Sequence, residues 1–216
     1  MSLLPFPKTH AYKVVYADLP WPYYGDPNKD QAAGKHYSLM TEQQVLSFPM
    51  RDLFDGHGVL FLWATGPKMD LAYEAIKAWK LYARGIAYVW IKTRKDGKPI
   101  AGQGCRPTLV KQMDEYVIGV TTCKTGRPLK ILTERQDQNV FAQRGRHSEK
   151  PEEVRRRIEE LCGDVPRIEL FARCRAPGWD AWGNQVPEVY PTAPIPMALE
   201  GTTEPETWLE PEEMRF

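Results

Sequence analysis

Residues Asp18-Leu-Pro-Trp21 put a carboxylate, a proline-stiffened turn and a large aromatic ring within four positions. A carboxylate accepts hydrogen bonds from an amine. A turn held by proline fixes the direction of its backbone carbonyls, and an indole stacks on a planar base. Together these groups could grip the exocyclic NH2 of a nucleobase. An aryl amine of that kind is a poor nucleophile, because its lone pair is delocalised into the ring. Hydrogen bonds from its N–H groups to Asp18 and to the Leu19 carbonyl favour the tetrahedral form, whose localised lone pair attacks. The competing reading is an Asp that only caps the turn after a strand, with Trp21 in the core.

The elements that must position this turn follow from the pattern around it. Lys13-Val-Val-Tyr-Ala17 is a short β-rich run ending at Asp18, and Pro20 and Pro22 stop it because proline cannot donate to a ladder. Residues 23–40 are polar and read as a long loop, a kind that is often functional. Thr41-Glu-Gln-Gln44 opens a helix with a capping box, and Pro49 closes it. Gly58 to Ala64 is apolar throughout, as in a strand buried on both faces. Asp70 to Lys80 places Leu71, Ala72, Ala75, Ile76 and Trp79 on one helical face. Ile86 to Ile91, Glu115 to Val120, Arg167 to Phe171 and, more weakly, Asn139 to Ala142 read as further strands. Thr93 to Thr108 reads as a Gly- and Lys-rich loop. Pro151 to Cys162 is a helix with Pro at its start and Gly163 just past its end. Strands alternating with helices predict an α/β protein with a mostly parallel sheet covered on both faces. In such sheets the ligand crevice lies at the carboxyl ends of the strands, where Asp18, Lys92 and Arg173 fall.

The whole chain of 216 residues has a net charge of +1, but the charge is uneven. From Pro187 to Phe216 there are seven Glu and one Arg, or −6, leaving 28 bases against 21 acids (+7) before it. A basic body suits a polyanionic partner. The basic residues form two groups: Lys92, Arg94, Lys95, Lys98, Arg106 and Lys111, then Lys124, Arg127, Lys130, Arg135, Arg144 and Arg146. Loops carrying them at a crevice mouth could track phosphates, although a solvated surface would look the same. The tail is Pro-rich and acidic, and disorder is expected there. No apolar run approaches the ~18 residues of a membrane span. Cys105, Cys123, Cys162 and Cys174 show neither C-x-x-C pairing nor zinc spacing, so free thiols and no metal are expected.

Asp18-Leu-Pro-Trp21 closely resembles the Asp-Pro-Pro-Trp motif of the MT-A70 family of adenine-N6 methyltransferases, and further segments resemble that family in order. His36 to Glu42 is similar to its Tyr-bearing segment. Val59 to Gly66 and Val89 to Thr93 are similar to its next two strand ends. Ser148-Glu-Lys-Pro151 resembles its Ser-His-Lys-Pro element, and Glu169 to Arg173 and Trp182-Gly-Asn-Gln185 complete the series. Each piece alone is weak; the ordered set, over residues 12 to 186, is specific.

The resemblance implies a Rossmann-like class I methyltransferase fold in permuted order, with the catalytic strand first. Residues 1–186 would form the methyltransferase domain and 187–216 the tail. The implied cofactor is S-adenosyl-L-methionine, with Asp18, Ser148, Lys150, Arg173, Asn184 and Gln185 as cofactor contacts. Asp18, Leu19, Pro20 and Trp21 would be catalytic, and Tyr37 and Lys92 would bind substrate. The implied reaction is methyl transfer to adenine N6 in nucleic acid, DNA ahead of RNA. The alternatives are the same reaction on RNA and a non-catalytic nucleic-acid-binding subunit. A small-molecule methyltransferase would leave the basic loops unexplained. The expected location is cytoplasmic for a bacterial or phage protein and nuclear for a eukaryotic one; the oligomeric state stays open. Three departures stand out. Leu19 replaces the first Pro of the motif, Glu149 replaces the His beside Lys150, and Arg175-Ala176 stand where the family often carries His and Asn.

Overall fold

A computed structural model describes residues 9–22, 39–100, 109–145, 149–183 and 186. Seven strands form one sheet: β1 (Tyr12–Ala17), β2 (Phe54–Ala64), β3 (Tyr82–Thr93), β4 (Asp114–Thr121), β5 (Asn139–Gln143), β6 (Arg167–Leu170) and β7 (Asp180–Trp182). Their order is β5-β3-β4-β2-β1-β6-β7. β4 is antiparallel to both of its neighbours, while the other pairings are parallel. The helices are α1 (Glu42–Leu46), α2 (Met69–Ala78) and α3 (Glu152–Cys162). Among the described residues no helix is long and apolar enough to cross a membrane.

Strand alternation sorts the core into two layers. Val15, Ala17, Leu60, Leu62 and Ala64 point to the side that α1 and α2 cover, and there Val45, Ala72, Ala75 and Ile76 pack against them. Val14, Tyr16, Phe61, Trp63, Val117 and Trp90 point to the other side, where Val154, Ile158 and Cys162 of α3 meet them. Helices therefore cover both faces of a mostly parallel sheet, as the apolar strand runs require. α1 is only five residues long. Its capping box compensates: Gln44 N–H donates to the Thr41 hydroxyl, and the Gln44 side chain accepts from Thr41 N–H. α3 ends where Gly163 takes φ +74°, a left-handed stop that glycine tolerates.

The structure departs from the sequence expectations in several places: β3 starts at Tyr82, ahead of Ile86, and β6 ends at Leu170, leaving Phe171 outside it. β2 begins at Phe54, ahead of the apolar run, because a register shift against β1 lets the polar stretch Asp55-Gly-His57 join the strand. β7 was not expected as a strand; three residues are too few to show a period. The loop expected from Thr93 opens instead as a tight turn. Thr93 pairs with Pro99, and Arg94 N–H donates to the Lys98 carbonyl (2.9 Å). Residues 101–108 and the tail 187–216 lie outside the described residues.

The end of β6 is held by close backbone packing. Phe171 follows it at φ +57°, which is rare for an aromatic residue. Its ring is wedged between Phe48 (5.6 Å) and Trp182 (5.2 Å). Gly183 lies against this turn, and a Cβ there would stand 2.6 Å from the Ala172 nitrogen and closer still to its carbonyl oxygen. Backbone cannot swing aside as a side chain can. Gly183→Ala is therefore expected to cost ~1–3 kcal/mol and lower the melting temperature. An unchanged melt would show that this turn is looser than its contacts indicate.

Candidate active site

The site is built by strand alternation on the α3 face. Along β1 the residues on that face are Val14, Tyr16 and then Asp18, the first residue past the strand. On β3 they are Tyr88, Trp90 and then Lys92; on the antiparallel β4 they are Val117 and, one step toward the same edge, Glu115. Each strand thus carries an aromatic or apolar residue within the sheet and a charged one at the carboxyl edge. Trp63 of β2 lies under the row. Lys150 enters from the approach to α3, just before the N-cap Pro151.

These four charged groups form a line. Lys150 Nζ lies 2.8 Å from Asp18 Oδ2 and 3.1 Å from Glu115 Oε2, and Lys92 Nζ donates to Glu115 Oε1 at 2.6 Å. The side chains are largely shielded, at 29% exposure for Asp18 and 13–20% for the other three. Beneath them Lys150 sits over the Trp63 ring (5.4 Å) and Lys92 over the Trp90 ring (5.0 Å), and the two rings meet edge to face at 6.2 Å. Both contacts fit cation–π attraction.

Shielding sets the protonation. Burial lifts the Asp18 carboxyl above its ordinary value; Lys150 and Arg173 pull it down and Glu115 pushes it up, with a net rise. Burial also works against an ionised Glu115, but Lys150 and Lys92 outweigh it and hold this carboxyl below its ordinary value. Burial opposes the Lys150 ammonium too, and the two carboxylates overcome that and hold it well above the usual lysine range. Lys150 is therefore held as a cation and Glu115 as an anion, while Asp18 holds a proton more tightly than an ordinary carboxyl does.

The turn after Asp18 is tight. Trp21 N–H donates to the Leu19 carbonyl (2.9 Å), and Met40 N–H donates to the Pro20 carbonyl (2.9 Å). The Leu19 oxygen keeps a second lone pair. Leu19's side chain is buried in the α1–α2 layer, which explains how leucine serves where the motif has proline: it anchors the turn by packing. The Trp21 indole N–H donates to the Trp63 carbonyl (3.1 Å), which ties the motif's aromatic to the neighbouring strand end.

Of the residues singled out from sequence, Asp18, Leu19, Pro20, Trp21, Lys92 and Lys150 meet at this edge. Arg173, past β6, is near enough to act on the Asp18 charge. Tyr37, Ser148, Asn184 and Gln185 lie outside the described residues. Glu115 was read only as the first residue of a strand. Its one sequence signal was an acid at the head of an otherwise apolar strand.

Comparison with known proteins decides what this arrangement belongs to. The MT-A70 family model matches residues 12–185. The chain belongs to the MT-A70 family. Its mostly parallel sheet, with helices on both faces and the Asp18 strand first, is the Rossmann-like class I methyltransferase fold of that family. The chain is 28% identical over 194 residues to the type II methyltransferase M.MunI of Mycoplasma sp., covering 82% of this chain and 78% of that protein. It is 28% identical over 181 residues to the human N(6)-adenosine-methyltransferase catalytic subunit METTL3, covering 83% of this chain but 29% of that protein. A Drosophila melanogaster N(6)-adenosine-methyltransferase MT-A70-like protein is 27% identical over 177 residues, 27% of its length. The chain thus spans most of the M.MunI length and under a third of the two animal proteins.

Proposed function

We propose that this chain transfers a methyl group from S-adenosyl-L-methionine to the N6 amine of adenine in nucleic acid, with DNA as the preferred substrate. The chain is an MT-A70 methyltransferase of the adenine-N6 type. The observation that carries the reading is the charged row at the carboxyl edge, with Asp18 at its exposed end and Lys150 beside it.

The donor set fits the cofactor. A carboxylate and an ammonium 2.8 Å apart complement the amino and carboxylate ends of an amino acid, so Asp18 and Lys150 would hold its methionine part. Arg173 would serve it from the β6 side. When bound, the cofactor supplies an electrophilic methyl on a sulfonium. The chain's own work is on the amine. Asp18 and the Leu19 carbonyl accept its two N–H groups and localise its lone pair. Trp21, fixed through Trp63, offers a stacking face. The amine gives up one proton on methylation, and Asp18, with its raised proton affinity, is placed to take it. Within a duplex the adenine must first leave the stack, at a cost of a few kcal/mol.

The tight turn after β3 supplies the substrate's backbone contacts. Arg94, Lys95 and Lys98 are exposed on it, two to six residues past Lys92, and Arg144 is joined to its base through Thr93. Replacing Arg94, Lys95 and Lys98 by Ala together should weaken duplex binding and flatten its salt dependence. Each lost phosphate contact should reduce the slope of log Kd against log salt by about 0.9. An unchanged slope would remove the turn from the interface.

DNA is placed ahead of RNA because the likeness to M.MunI runs through most of that protein, while the likeness to METTL3 covers a minor part. The test is labelled methyl transfer to single-stranded DNA, duplex DNA and RNA of one sequence, side by side. Greater incorporation into DNA is expected. Label in RNA alone would reverse the substrate choice. Binding without transfer to any of the three would favour a non-catalytic subunit.

A further inference from the structure

Glu115 uses its two oxygens on two different lysines. Oε1 takes Lys92 (2.6 Å) and Oε2 takes Lys150 (3.1 Å), while Lys150 also holds Asp18 (2.8 Å). Lys150 is therefore shared between two carboxylates, one of which is already engaged by a second cation. We propose that Glu115 is a positioning residue that divides the Lys150 ammonium between itself and Asp18, and that Lys92 sets the division. The inference rests on the proposed reading of the site, in which an ionised Asp18 accepts the amine and the cofactor's amino group.

The physical basis is competition at short range. Whatever strengthens the Glu115–Lys150 contact withdraws positive charge from Asp18; whatever weakens it returns that charge. Removing the Glu115 charge leaves Asp18 as the one carboxylate paired with Lys150 among the described residues, and also removes a repelling anion. Both changes favour the ionised carboxylate. Removing Lys92 does the reverse. Among the described residues Glu115 then has only Lys150 to pair with, and a cation is lost from the neighbourhood. Both changes favour the protonated acid. Among the described residues the other groups acting on Asp18 stay in place in either variant: Tyr16 on β1, Glu169 on β6 with its Arg155 partner on α3 (2.8 Å), and Arg173 past β6. A residue that only supported the fold would move stability, but would not shift the titration of Asp18 in a chosen direction.

The experiment is calorimetric titration of the full chain with S-adenosyl-L-methionine, without nucleic acid, across the acid range. It is paired with the pH profile of kcat on a DNA oligonucleotide. Asp18 must be ionised to accept the cofactor's amine, so the acid limb of both profiles reports its titration. Glu115, held below its ordinary value, titrates further into acid. Glu115→Gln should move the acid limb down by about one pH unit, and Lys92→Met should move it up. Should Glu115→Gln fail to fold, the upward shift in Lys92→Met carries the test. Limbs that stay at the wild-type pH, or that move the same way in both variants, would overturn the proposal. A wild-type chain that neither binds S-adenosyl-L-methionine nor transfers a methyl would instead overturn the reading of the site. A wild-type chain that does both, with limbs that do not respond, would overturn only the role of Glu115.

Discussion

Asp18→Asn is expected to reduce methyl transfer by at least about a hundredfold, the loss typical when a preorganised polar group facing the reacting atoms is removed. The amide keeps the shape but replaces one acceptor oxygen by an NH2 donor, which would face the amine's own N–H groups and the Lys150 ammonium. Stability should not follow activity. Burial raises the Asp18 carboxyl, so the folded state binds its proton more tightly than the unfolded chain does. The contribution of this group to stability is then greatest at acid pH, and falls as pH rises from the ordinary carboxyl value through the raised one. At neutral pH the amide relieves a buried charge but takes one of two carboxylates from Lys150, which keeps Glu115, so the melting temperature should change far less than the rate does. A thermal melt beside the rate measurement separates the two effects. Turnover near the wild-type rate in a folded Asp18→Asn chain would remove Asp18 from the mechanism.

Lys150→Met has the second largest expected effect, and it falls on binding and on stability together. Lys150 supplies a charge-assisted contact worth roughly 1.5–3 kcal/mol to an anionic ligand, so cofactor Kd should rise by about ten- to a hundredfold. The contact is remote from the transferring methyl, so kcat at saturation should fall less than affinity does. Removing the shared cation also leaves Asp18 and Glu115 facing one another without the ammonium between them. Breaking a buried pair from one side typically costs about 3–5 kcal/mol, and the partial exposure of Asp18 puts this case toward the low end. The sign with pH is defined. Without Lys150 both carboxylates are harder to ionise, so the variant should recover stability as pH falls and they protonate. A melting temperature that tracks wild type from pH 5 to 8 would show that the row is not electrostatically coupled.

The fold was legible in sequence wherever one local signal ruled. The capping box at Thr41–Gln44 marked a helix of a single turn and a half, and the Pro151 and Gly163 pair bounded α3. The apolar run after Gly58 marked β2, but its first four residues escaped notice because a register shift, not periodicity, admits them. Strand direction was not legible either. A run such as Glu115 to Val120 has the same pattern whichever way it points, and it is the reversal of β4 that brings Glu115 to the carboxyl edge.

The same logic applies to the site. Asp18 to Trp21 announced itself because its chemistry lies within four residues. Lys92 stood out by its place at a strand's carboxyl end, and Lys150 was named only through resemblance. Their partner Glu115 stands 23 residues from one and 35 from the other, a relation that no local pattern encodes. Trp63 and Trp90 read as strand residues, and only the sheet shows that they carry the two lysines.

The most direct test of the central claim is the identity of the methylated base. The chain should be incubated with methyl-labelled S-adenosyl-L-methionine and DNA containing all four bases, and the DNA then digested to nucleosides and separated by mass. Label confined to N6-methyldeoxyadenosine, and absent when Asp18→Asn replaces the wild-type chain, is the expected result. Label in a methylated cytosine, or label in N6-methyldeoxyadenosine that persists in Asp18→Asn, would contradict the role given to Asp18 and the turn it begins.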